Sequence, residues 1–171
     1  MSKARNLADL LDSNGDVVSG ALDNGGKILQ VVSNSFARVQ NSSSSSWVPV
    51  TAEELTITPR SASSKILAVF QADVHANNNG TGGAEMLGFF TIQRNGTNLG
   101  HVDKGMRWMR FKDYDGNGTY SEYPMTIFCV DSPNTTQAVT YTPAFRTSTG
   151  VSIGWQYDYQ VRHHYLMEIA G

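Results

Sequence analysis

The chain has 171 residues, with 13 Lys and Arg against 15 Asp and Glu, a net charge of −2 and only 16% charged side chains. That length suits one domain plus a short appendage, with enough chain to bury a real core. The balance lacks the basic stripe of a nucleic-acid binder, and a lone cysteine, Cys129, excludes an intrachain disulfide.

Residues 1–26 read as separate from the rest. Met1 to Leu11 is a polar turn followed by a leucine cluster, and Leu7, Leu10 and Leu11 fall on one face at i, i+3, i+4 spacing. Asp12-Ser-Asn-Gly-Asp16 and Leu22-Asp-Asn-Gly-Gly26 then break the pattern. A helix of roughly 8–10 residues is marginal alone in water. The stripe therefore reads as a helical or extended arm that docks on a partner or sister subunit. A frayed terminus, or a helix packed on its own body, is the plainer alternative. Asp9 and Asp12 interrupt the leucines, so the roughly 7–15 apolar residues of a secretory signal are missing. No stretch approaches the roughly 18 apolar residues of a membrane span. Assembly in a cytosol is expected, with no membrane and no nucleic-acid partner.

Residues 27–171 read as β throughout. Lys27 to Val32 is a first strand, and Ser42 to Ser46 a flexible serine loop. Trp47 to Val50 and Leu55 to Thr58 follow, then the long Ser64 to His75 and a loop from Asn77 to Gly83. Met86 to Arg94 pairs with Thr97 to Asp103 across Asn95-Gly96, a type I′ hairpin signal. Met106 to Lys112, Tyr123 to Val130 and Val139 to Arg146 continue the series, for about nine or ten strands in all. Cys129, inside an apolar run, reads as a small buried hydrophobe. In the last segment, Val151, Ile153, Trp155, Tyr157, Tyr159, Val161, His163, Tyr165, Met167 and Ile169 take every second position. That alternation predicts one buried and one wet face, with a bend near Asp158 because the run outlasts a usual strand.

The class that results is all-β, an antiparallel jelly-roll-like β-sandwich preceded by the arm. An immunoglobulin-type sandwich fits the long loops and high strand count less well, and missing crossover helices exclude a parallel α/β sheet.

Signals for chemistry are weak. Asp113-Tyr-Asp115-Gly-Asn117-Gly118 matches the start of a calcium loop, but the twelfth position is Pro124 where a bidentate Glu is needed. A tight turn explains it as well. His163 and His164 are adjacent and point to opposite faces of a strand, so they cannot chelate together. Glu53 and Glu54 are adjacent too, so either one faces inward or both sit in a loop. Trp108, Tyr114, Trp155 and Tyr157 could stack on a sugar, although such aromatics are more often core or interface. Sequons at Asn41, Asn79, Asn95, Asn117 and Asn134 read as by-products of an Asn- and Ser-rich surface. No catalytic constellation, cofactor motif or metal site is expected.

Several segments together resemble a known group. The opening MSKARNLADLLDSNGDVVSGALDN is similar to the start of fibre-type and other virion proteins of marine tailed phages. So are Lys27-Ile-Leu-Gln-Val-Val, the serine loop, Leu55-Thr-Ile-Thr-Pro59-Arg-Ser-Ala-Ser-Ser-Lys65-Ile-Leu and Arg94-Asn-Gly-Thr. Val130-Asp-Ser-Pro133, then Thr140-Tyr141, and Leu166-Met-Glu-Ile-Ala-Gly171 complete the series in the right order. The resemblance implies a structural virion component, assembled in a host cytoplasm, with an attachment segment and a trimeric β head. Long fibres carry repeats between arm and head, and Gly25-Gly26 stands there instead. That departure favours a compact appendage, a head decoration (cement) protein or a short fibre knob, contacting other virion proteins through Leu7, Leu10 and Leu11. A receptor- or glycan-binding tip meeting a host-surface glycan is the alternative. A small hydrolytic head is the third reading.

Overall fold

A computed structural model describes residues 26–77, 85–112, 121–148, 152–155 and 161–171. The arm with Leu7, Leu10 and Leu11, the 78–84 loop, the Asp113–Asn117 loop and the turn near Asp158 lie outside the described residues.

Twelve strands and one 3-10 turn are described: β1 (Ile28–Phe36), β2 (Gln40–Ser42), β3 (Val48–Pro49), the turn Thr51–Glu53, β4 (Leu55–Ile57), β5 (Lys65–Asn77), β6 (Glu85–Arg94), β7 (Thr97–Asn98), β8 (Arg107–Lys112), β9 (Ser121–Asp131), β10 (Val139–Thr147), β11 (Ser152–Trp155) and β12 (Arg162–Ile169). They form two antiparallel sheets. The first runs β1-β12-β5-β9, with β11 continuing beside β5 and β2 beside β11. The second runs β4-β10-β6-β8, with β3 on β10 and β7 on β6. The protein is an all-β antiparallel sandwich. With its eight principal strands counted in chain order, the sheets read 1-8-3-6 and 2-7-4-5. Only the β6–β8 connection stays within one sheet.

Alternation explains the core. Ile66, Ala68, Phe70, Ala72 and Val74 of β5 face Met86, Phe90 and Ile92 of β6, with Tyr141, Phe145, Phe111, Trp155 and Leu166 filling the layer between. The Asn95-Gly96 hairpin forms as expected, both residues having positive φ, 48° and 80°. Three expectations change. Thr97–Asp103 supplies only the two-residue β7, because the chain then folds into a turn stapled by Met106 N–H to the Phe90 carbonyl at 2.8 Å. The serine loop starts one residue later than expected, because Ser42 closes β2, and the Ser42 and Ser44 hydroxyls accept from Ser44 N–H and Ser46 N–H at 3.1 and 3.0 Å. Third, the C-terminal alternation reverses phase. Ile153 and Trp155 are buried as expected, but in β12 the buried residues are His164, Leu166 and Glu168. A one-residue shift between β11 and β12 exchanges the faces, and buried partners make the inward His and Glu tolerable.

Gly105 holds the β7–β8 turn against the sheet. Its φ is +64°, and an added Cβ would lie 2.3 Å from the Phe90 carbonyl oxygen and 2.7 Å from the Trp47 ring. Gly105→Ala is therefore expected to cost at least about 2 kcal/mol, from backbone strain and a backbone clash. That lowers the melting temperature by roughly 5–10 °C, as calorimetry would show.

Candidate assembly face

Among the described residues, the outer face of the first sheet carries a row of exposed apolar side chains. Cross-strand register aligns Val31 (β1), Met167 (β12), Leu67 (β5) and Val130 (β9) in one row. The next row is Ser33, Tyr165, Val69 and Phe128, and a third row is Ile28, Ile169 and Lys65. Phe128 is 66% exposed, Val130 59%, Ile28 54% and Val31 53%. At about 4.8 Å between strands and about 6.8 Å between rows, the patch covers roughly 300 Å² in plan. A contiguous apolar patch of this size commonly marks a functional surface on a monomer. Lys65, at its margin, is the one charged residue in the three rows.

Further along the same face the chemistry turns polar. His163 is exposed, Arg162 pairs with Asp73, and an open pocket of about 260 Å³ is lined by Gln71, Asp73, Pro124, Thr126 and Arg162. An apolar centre with a polar border is the layout of a protein–protein interface. Chain entry is close by. Gly26 N–H donates to the Ala170 carbonyl at 3.4 Å and Ala170 N–H to the Lys27 carbonyl at 2.8 Å. Gly26 therefore adjoins the end of the face where Ile28 sits beside Ile169.

Behind the face lies a buried polar centre that sequence reasoning left open. The 3-10 turn sends Glu53 fully inward and leaves Glu54 exposed. Trp155 Nε1–H donates to Glu53 Oε2 at 2.7 Å. Gln71 N–H donates to His164 Nδ1 at 3.2 Å, which assigns the ring proton to Nε2, and Nε2 lies 2.9 Å from the same Glu53 oxygen. The His164 ring packs between Phe36 and Phe70, with centroids 5.0 Å away on each side. Glu53, Trp155 and His164 thus join the 3-10 turn to β11 and β12. All three side chains are fully buried. His163, next in sequence, points outward as strand geometry requires.

Two further polar groups join elements across the sandwich. Asp131 of β9 accepts both hydrogen bonds of Arg94 Nη1 (2.9 and 2.8 Å) and one from the Tyr141 hydroxyl (2.7 Å). Burial and that bond to Asp131 push the Tyr141 phenol well up. Cys129, half-buried beside Asp131, is pushed up to about 11 by burial and then by the carboxylate charge. Its thiol stays protonated at neutral pH.

Glu168, fully buried, accepts from Gln30 Nε2 at 2.6 Å and Arg60 N–H at 2.7 Å. Burial alone would raise its carboxyl, but the hydrogen bonds outweigh it and leave it below the ordinary range. The unfolded chain then binds this proton more readily. The stabilisation is complete above the unfolded value, about 4.3, and is lost as pH falls through the lower folded value. Glu168→Gln is expected to lower stability at pH 7 by about 1–3 kcal/mol and to flatten the acid limb of a melting-temperature-versus-pH curve.

Of the aromatics considered for sugar stacking, Trp155 is core, Trp108 is half exposed, and Tyr114 and Tyr157 lie outside the described residues.

No protein-family model matches the chain, and no curated protein matches it. Among solved structures it is similar to a chain from infectious bursal disease virus, Gx strain, at 13% identity and TM-score 0.33, over 86% of this chain and 34% of that one. The Gt strain gives 14% and 0.31, again over 86% and 34%. Dimeric latent PorU from Porphyromonas gingivalis gives 8% and 0.33, over 92% and 15%. The chain thus spans about a third or less of the chains it matches. At such scores these likenesses decide nothing about function, and the phage resemblance stands on the sequence segments quoted above.

Proposed function

We propose that this protein is a non-enzymatic structural component of a bacteriophage virion, a head decoration (cement) protein or short fibre knob. The 1-8-3-6 and 2-7-4-5 strand order supports reading the body as a jelly roll. The body forms a homotrimer through the outer face of the first sheet, and the arm attaches the trimer to other virion proteins. The observation that carries this is the uncharged apolar patch of Val31, Leu67, Phe128, Val130, Tyr165 and Met167. A patch almost without charge can meet its own copy without like-charge repulsion. Its border of Ser33, Ser35, His163 and the Arg162–Asp73 pair supplies the polar rim.

The arm's arithmetic also calls for several copies. Each of Leu7, Leu10 and Leu11 contributes roughly 1.5–3 kcal/mol when buried. Ordering about ten residues at roughly 1–2 kcal/mol each leaves no surplus for a single arm. Three arms on one trimer gain through effective concentration. Deleting residues 1–26 is expected to leave a soluble, folded body that no longer joins the particle, and Leu10→Asp should weaken incorporation without lowering the body's melting temperature. If truncated protein decorates particles at normal copy number, the anchor lies on the β body. The alternative, a receptor- or glycan-binding tip, is favoured by one observation, the half-exposed Trp108 on the opposite sheet.

A further inference from the structure

At the free edge of the second sheet, where among the described residues β8 pairs only with β6, β8 and the turn before it read Lys104-Gly-Met-Arg107-Trp108-Met-Arg110-Phe-Lys112. Four cations fall within nine residues with no acid among them, in a chain whose net charge is −2. Trp108 is 51% exposed and pairs in register with Phe89. It forms a wall shared by two depressions. One, of about 180 Å³, is lined by Leu87, Phe89, Lys104, Trp108 and Arg110. The other, of about 630 Å³, is lined by Arg107, Trp108, Met109, Arg110 and Tyr123 together with Met106. Among the described residues, no carboxylate lines either.

We propose that this surface binds an acidic polysaccharide, with a sugar ring stacked on Trp108 and its carboxylate or sulfate groups met by Lys104, Arg107 and Arg110. The proposal rests on the glycan-binding alternative above and narrows it to a ligand class. An indole face offers a flat apolar platform to the C–H face of a sugar ring, while the flanking cations select anionic sugars over neutral ones. Arg146 stiffens the floor. Its guanidinium lies 4.9 Å from the Phe89 ring centroid and 5.3 Å from that of Trp47, and it donates to the Ser45 carbonyl at 2.9 Å and to the Asp103 carbonyl. Single-stranded nucleic acid fits less well, since it favours a row of stacking platforms along a basic groove, and here one indole is exposed.

The test is titration of the full chain with polygalacturonate, dextran sulfate, neutral dextran and a single-stranded oligodeoxynucleotide, followed by calorimetry and tryptophan fluorescence. At least one acidic polysaccharide should bind, at least tenfold more tightly than dextran and the oligonucleotide. Trp108→Ala should weaken that binding at least tenfold, and so should Lys104→Glu with Arg107→Glu, with melting temperatures unchanged. Binding that ignores Trp108→Ala, or an oligonucleotide bound as tightly as the polysaccharide, would reduce the surface to a nonspecific basic patch and overturn the proposal. Neutral dextran bound as well as the acidic polymers, and sensitive to Trp108→Ala, would overturn the acidic class while keeping a glycan site. Failure of both acidic polymers to bind overturns the proposal. A glycan array then shows whether the broader glycan-binding reading falls with it.

Discussion

Replacing Phe128 and Val130 together by aspartate is expected to convert a trimer of three 18.7 kDa chains into a folded monomer. Both side chains stand outward on β9, 66% and 59% exposed, so the single sandwich loses only strand propensity and part of two cross-strand contacts by the change. In the assembly each new carboxylate would face apolar residues of a neighbour. An unpaired charge buried in an interface costs several kcal/mol, and three subunits place six of them there. The wild type should sediment at three chain masses at micromolar concentration and neutral pH. The double variant should sediment at one, with an unchanged monomer circular dichroism spectrum. A wild type that is already monomeric overturns the trimer, and a double variant that stays trimeric moves the interface away from this face. If the arm folds back over the face instead, the full chain would be monomeric and would associate only when residues 1–26 are removed.

Glu53→Ala is expected to be the most damaging single change to the body. Glu53 Oε2 takes hydrogen bonds from Trp155 Nε1 and His164 Nε2 with all three side chains fully buried. Truncation strands two buried donors, at about 1–3 kcal/mol each, and opens a cavity beside Trp155. A loss of about 3–5 kcal/mol follows, which lowers the melting temperature of a chain this size by roughly 10–15 °C. Glu53→Gln keeps an acceptor oxygen and should lose less than half as much. A Glu53→Ala protein within about 1 kcal/mol of wild type would show that the centre is not a structural junction.

Much of the fold was legible in the sequence. The Asn95-Gly96 hairpin, the long β5 and the overall all-β class follow from turn chemistry and period-2 alternation. The phase of β12 was not, because His164 and Glu168 look like wet-face residues until Glu53, Gln30 and Arg60 are brought to them from distant segments. The assembly face did leave a signal. Met125-Thr-Ile-Phe-Cys-Val130 and Ile66-Leu-Ala-Val-Phe70 are apolar at both parities, and strands apolar at both parities are ones covered on both faces. Met125, Ile127 and Cys129 face the core, so Phe128 and Val130 are left outward, where the proposal places a partner. The basic run around Trp108 was also readable, but it was masked by a net charge near neutrality averaged over the whole chain.

Quantitative mass spectrometry of particles of the phage proposed to encode this chain, purified and washed in high salt, tests the central claim most directly. The account predicts that this protein remains bound, in a copy number divisible by three and fixed relative to the major capsid protein. Its absence from washed particles, with recovery only in the soluble lysate, would contradict a structural virion role.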